Sequence, residues 1–227
     1  MNPDLLLLAD GRFPAGGHSW SAGVEAAVGV GDVVDPATLG RYLAGRLATS
    51  GTVDAAFAAA ACAAALDVDR DIVDLFDTLD REYDARVPSG HLRTTGRRLG
   101  RHFLRAARPI WPGPALDAMA APPEGFHQPI VLGAVVATAG GLPGDAATIA
   151  LHHTATAVTT AAVRLLGLDP MELAATASRA LRDAAPSAAT VTVWAQAAAA
   201  DLPSMGGSLT EILGEHHGHL DARLFVA

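Results

Sequence analysis

The run AAFAAAACAAAL at residues 55–66 leaves this chain few architectures to choose from. Alanine loses no side-chain entropy in a helix and is the strongest helix former. A run without a polar face has no side to turn to water, so segment 53–66 is predicted to pass through the middle of a helical bundle. Composition points the same way. Half of the 227 residues are hydrophobic but only 5% are aromatic, so Ala, Leu and Val have to fill the core. The expected fold is all-α: one domain over 1–227, a bundle of roughly eight to ten helices with a Gly-rich N-terminal loop and an extended C-terminal tail from about residue 203.

Periodicity and punctuation divide the chain further. Short helices are predicted over 5–9 and 21–28. Asp35-Pro36 is a start signal, because Pro at the first helical position has no amide to lose. Leu39, Tyr42, Leu43 and Leu47 then follow at helical spacing. Residues 69–86 alternate Ile72, Val73, Leu75, Phe76 and Leu79 with Asp and Arg, the pattern of an amphipathic surface helix. Next comes a basic helix with Arg97, Arg98, Arg101, Arg105 and Arg108, suited either to neighbouring carboxylates or to a partner. Segment 109–126 holds five prolines and reads as a long connection within the domain. Helices are predicted again over 130–139, 145–166, 170–184, 188–200 and 209–217. TVTVW at 190–194 has strand-like residues but no second strand to pair with, so it is assigned to a helix.

Charge and chemistry exclude several function classes. With 16 basic and 24 acidic residues the net charge is -8, against the basic footprint that nucleic acid demands. Every basic residue is Arg, so a P-loop Lys cannot occur. Cys62 is the only cysteine, which rules out an internal disulfide and a thiolate metal cage, and its setting predicts a small buried residue. The start lacks the basic region of a signal peptide, and no run approaches the apolar length of a membrane span. A cytoplasmic protein is expected.

Two stretches carry candidate chemistry. In FPAGGHSWSAGVE (13–25), Gly17-His18-Ser19-Trp20-Ser21 resembles a nucleophile elbow but lacks the final glycine and the preceding strand. At EHHGHLDARLF (215–225), the preceding Glu211 with Glu215 and His219 would share a helix face, which suits a divalent metal, if the helix ran through Gly218. His152 and His153 are successive and cannot chelate as a pair from one helix. No constellation activates a nucleophile, so no catalytic residue, resident metal or cofactor is assigned. A binding protein is favoured.

The opening resembles the signature of the UreF family of urease accessory proteins: a leucine-rich run, then P-x-G-G-x-S-x-S-x-G-x-E, matched by Pro14, Gly16, Gly17, Ser19, Ser21, Gly23 and Glu25. The ending resembles the family's H-E-x-x-x-x-R-L-F, matched by His217, Arg223, Leu224 and Phe225, with Gly218 where Glu is usual. GRRLGRHFLRAARPIWP resembles the family's S-x-x-x-G-R helix, with Gly96 in place of Ser, and AAVRLLGLDP resembles a later family segment.

The resemblance implies a non-enzymatic all-α protein of urease maturation. Such a protein would bridge a UreD/UreH-type accessory protein and the nickel-delivering GTPase UreG. Urease apoprotein would be reached through the complex, a homodimer is implied, and the protein would bind neither nucleic acid nor membrane. It places Trp20, Glu25 and Arg164 on the GTPase face. It assigns His217, Leu220, Arg223, Leu224 and Phe225 to the tail that docks on the UreD-type protein. Pro14, Gly16, Gly17, Ser19, Ser21 and Gly23 would shape the loop. A protein that itself binds or carries nickel through its histidines is the alternative.

Overall fold

A computed structural model describes residues 2–67, 69–120, 122–219 and 224–225. Among them, twelve α-helical segments and no strand occur. Two of the segments, α3 (Pro36–Arg46) and α4 (Thr52–Leu66), are joined through a π-turn at Leu47–Gly51, so they form one bent helix. The bend has a local cause. Thr49 Oγ1 donates to the Gly45 carbonyl at 2.8 Å and Thr52 Oγ1 to the Leu47 carbonyl at 2.9 Å, competing with the helical ladder, and Thr49 leaves helical geometry at φ -109°, ψ -105°. Taken whole, this helix is long and apolar enough to cross a bilayer, a feature that a search for uninterrupted apolar runs misses. Two thirds of its most apolar stretch is buried in the protein, as befits a core helix.

Helix α4 is the axis of the bundle. Ala55, Ala56, Phe57, Ala58, Ala59, Ala61 and Cys62 are fully buried, and α8 (Gln128–Thr138) and α9 (Pro143–Leu166) pack along it. Close approach is possible because α8 presents Gly133. A Cβ there would stand 2.3 Å from the Ala58 carbonyl oxygen and 2.7 Å from the Cys62 amide nitrogen. Burial pushes the Cys62 thiol up to about 12, so it behaves as a small apolar residue.

The outer layer comprises α5 (Ile72–Asp84), α6 (Gly90–Ala107), α10 (Pro170–Ala184) and α11 (Ala188–Gln196). Helix α1 (Pro3–Ala9) lies on α9, with α2 (Val24–Gly29) beside it. Several starts are fixed by their first residues. Asp35, Asp71 and Asp169 accept amide bonds as N-caps, and Pro follows Asp35 and Asp169 directly. TVTVW lies inside α11.

Three expectations need correction. The connection 109–126 contains a short helix, α7 (Pro114–Ala118), started by Pro114 behind the extended Gly113. Helix α2 begins at Val24 instead of residue 21, because Ala22 and Gly23 adopt positive φ of 53° and 83° and break helical geometry. The helix predicted over 209–217 in the tail does not stop before Gly218. Helix α12 (Ser208–Gly218) runs through Gly218 and packs on α6 and α2.

Candidate functional site

The glycine-rich loop turns the chain between α1 and α2. Gly16 and Gly23 take φ near +82° and +83°, a region costly for any residue with a Cβ. Between them Gly17–Ser19 form one 3₁₀ turn, and Ser19 Oγ donates to the Gly16 carbonyl at 2.8 Å. At Gly23 a Cβ would also stand 2.8 Å from the Tyr42 hydroxyl, which donates to the Ala22 carbonyl at 2.8 Å. Ser21 Oγ accepts from the Glu25 amide at 3.4 Å. Pro14 is exposed, and Trp20 is half-buried at the centre of the loop.

The turn delivers Glu25 into the first turn of α2, 192 residues from the histidine it meets. Its Oε2 pairs with the His217 Nε2 at 2.7 Å and accepts the Phe225 amide at 3.0 Å. Oε1 accepts the Leu224 amide at 2.6 Å. Burial pushes the Glu25 carboxyl up, but bonds from His217, Leu224 and Phe225 outweigh it, and its pKa lies below the ordinary value. The Arg164 guanidinium, in the last turn of α9, lies 4.7 Å from the centre of the Phe225 ring. Phe225 is 3% exposed whereas the adjacent Leu224 is 52% exposed. The two groups of residues separated by sequence reasoning, Trp20/Glu25/Arg164 and the tail, thus occupy one place. Leu220 and Arg223 lie outside the described residues.

The remaining carboxylates of α12 are engaged on α6. Glu211 accepts the Ser89 amide at 2.9 Å, and Glu215 accepts the Ser89 hydroxyl and the His91 amide. Both thus satisfy free donors at the start of α6. Gly96 in α6 and Gly218 in α12 each stand against an imidazole. A Cβ on Gly218 would stand 2.9 Å from the His91 ring, and one on Gly96 would stand 2.9 Å from His127 Nδ1.

Part of the basic helix faces inward. Arg97 bonds Asp80 at 2.6 Å, Asp84 at 2.9 Å and the Gly125 carbonyl at 2.7 Å, and Arg101 reaches the Glu124 carbonyl. Buried His127 donates its amide to Asp80 at 2.8 Å, and its Nε2 pairs with Asp84 at 2.8 Å. Deeper still, the Tyr83 hydroxyl donates to Asp54 at 2.6 Å, with Arg46 4.0 Å from that carboxylate. Burial raises the Asp54 pKa, with Arg46 and Tyr83 pulling against it. Arg46, Ser50, Asp54, Tyr83 and His127 line part of a cavity of about 70 Å³ whose wall is otherwise mostly apolar. No local sequence signal marked this network, because its members come from four helices and a loop.

A second cavity, about 320 Å³ and mostly apolar, lies beneath the N-terminal loop and is lined by Phe13, Trp20, Phe103, His153 and Phe225 among others. His153 Nε2 donates to the Leu8 carbonyl at 2.8 Å, and burial pushes its pKa down to about 4. Between pH 6.5 and 4 the unfolded chain therefore binds a proton that the folded chain refuses, so stability is lost as the pH is lowered through this range. This one group is expected to remove on the order of 3 kcal/mol by pH 4. Urea denaturation at pH 7 and pH 4.5 tests this. His153→Gln, which can still donate to Leu8 but does not titrate, should show a markedly smaller acid loss; equal losses would show that His153 carries none of it.

Comparison with known proteins bears on this arrangement. The sequence model of the UreF family matches residues 33–181. The chain is similar to the urease accessory protein UreF of Mycobacterium sp. strain JLS, 40% identical over 223 residues, covering 98% of this chain and 97% of that protein. It is 38% identical over 224 residues to the UreF of Mycolicibacterium vanbaalenii, with the same coverage of both chains. It is 34% identical over 223 residues to that of Mycobacterium tuberculosis strain H37Rv, again across 98% and 97% of the two chains.

Proposed function

The chain belongs to the UreF family of urease accessory proteins, and from that premise we propose that it is an adaptor in assembly of the urease nickel centre. In this reading it bridges a UreD/UreH-type protein and the GTPase UreG in the cytoplasm, works as a homodimer, and reaches urease apoprotein through the complex. Modulation of GTP hydrolysis is an added role of the same surface. The protein supplies recognition surfaces and no chemistry of its own.

The observation that carries the reading is the meeting of the two terminal signatures at Glu25, which builds one continuous surface from residues 200 positions apart. Helix α12 supports it. Its inner face buries Thr210, Leu213, Gly214 and His217, while Leu209 and Ile212 stand 52% and 67% exposed on the opposite side. Two exposed aliphatic residues one turn apart offer an apolar anchor of the kind that interfaces concentrate energy on. We assign this face to the UreD/UreH-type partner, and Trp20 with its surroundings to the GTPase.

Co-purification tests the reading. The wild-type chain should capture both partners at micromolar concentration, and Leu209→Asp/Ile212→Asp should reduce capture of the UreD/UreH-type protein by at least ~10-fold with an unchanged melting temperature. Capture of neither partner by the wild type would overturn the adaptor reading. Unchanged capture by the double variant would move the interface elsewhere.

A further inference from the structure

Glu25 and Arg164, the two charged residues assigned to the GTPase face, both have the tail in hand. We propose that they are positioning residues, acting on the partner through the tail segment Leu224–Phe225 and not by touching it themselves. The proposal rests on the adaptor reading above for the partner's identity, but the clamp itself concerns this chain alone.

The geometry argues for it in three steps. An ionised carboxylate offers about four acceptor positions. Three of those of Glu25 are filled, by His217 Nε2 and by the amides of Leu224 and Phe225. Its side chain is 11% exposed, so an incoming arginine could pair with it bidentately only by displacing the tail. Two successive amides on one carboxylate also fix the backbone direction of both residues at once, which an apolar contact alone would not do. Finally, the clamp sorts the two side chains. Phe225 is driven under Arg164, and Leu224 is turned outward. The exposed product of the arrangement is the leucine, next to the partly exposed loop that carries Trp20.

Hydrogen exchange on the isolated full-length chain tests the clamp without any partner. Glu25→Ala should raise exchange of the Leu224 and Phe225 amides by at least ~10-fold, the loss expected when a bond to a charged acceptor is removed, while α4 and α8 keep their protection. Glu25→Gln should be intermediate, because the amide keeps only one accepting oxygen. Arg164→Lys keeps the charge but loses the planar group over the ring, and should loosen Phe225 less than Glu25→Ala does. Unchanged tail exchange in Glu25→Ala would overturn the clamp.

The partner arm compares Glu25→Ala, a chain lacking residues 224–227, and the two combined. All three should lose the same fraction of GTPase capture, since each removes the same presented segment. Loss in Glu25→Ala with the tail still protected, or a combined loss that multiplies the single ones, would make Glu25 a direct contact and overturn the proposal. If the wild type captures no GTPase, the adaptor reading falls together with the partner arm, whereas the exchange result still decides the clamp.

Discussion

Gly133→Ala is expected to destabilise the protein by about 3 kcal/mol or more, although alanine is the better helix former. The added Cβ would lie 2.3 Å from the Ala58 carbonyl oxygen and 2.7 Å from both the Ala61 Cβ and the Cys62 amide. None of these is the far end of a flexible side chain, so α8 and α4 have to move apart along the most tightly packed line of the core. The melting temperature should fall by roughly 6–12 °C, given 2–4 °C per kcal/mol for a chain of this size. Gly45→Ala is the control. It lies on the exposed side of α3 with nothing within 4 Å of its Cβ position, and it should be stabilising by up to ~1 kcal/mol. Opposite signs for the two substitutions in thermal melts would confirm that helix approach decides the outcome. A neutral Gly133→Ala would mean that α4 and α8 do not approach this closely.

Arg97→Met is the second large effect, expected at about 3–5 kcal/mol. Asp80 is 6% exposed and accepts from Arg97 and from the His127 amide, while Asp84 takes the other arm of the guanidinium and the His127 ring. Methionine fills similar space but leaves two neighbouring carboxylates without their shared cation. Arg97→Lys should recover only part of the loss, because a point charge cannot serve both acceptors at once. Asp80→Asn in the Arg97→Met background should be less harmful than the sum of the single changes, and a double-mutant cycle by urea denaturation measures that coupling. Strict additivity, or a cost under ~1 kcal/mol for Arg97→Met, would show that the cluster contributes little.

Features set by neighbouring residues were legible in the sequence; those set by distant ones were not. Asp35-Pro36 and Asp169-Pro170 mark their helices because cap and first turn lie within four residues. The alanine run announces its own burial. Helix α7 escaped detection because five residues are too few to show a period, and the prolines around it dominate the reading. Glu25 was singled out by a motif, but nothing near it says that its bonds go to Leu224 and Phe225. Arg97 is one of several arginines on its helix, and only the packing of α5 beneath it separates an inward residue from outward ones. The two terminal motifs also lie outside the stretch 33–181 matched by the family's sequence model, so the family shows itself independently in the helical body and at the ends.

The glycines at 96 and 218 carry a consequence for how such a chain can change over time. The room that a side chain would need is filled by an imidazole from elsewhere, His127 at Gly96 and His91 at Gly218. A serine at 96 or a glutamate at 218 could be introduced only after the facing ring had turned away or been replaced by something smaller. The reverse holds as well: the rings could settle where they are only once the glycines were in place. Each pair therefore shares one volume, and the order in which its two residues can be exchanged is set by that shared space.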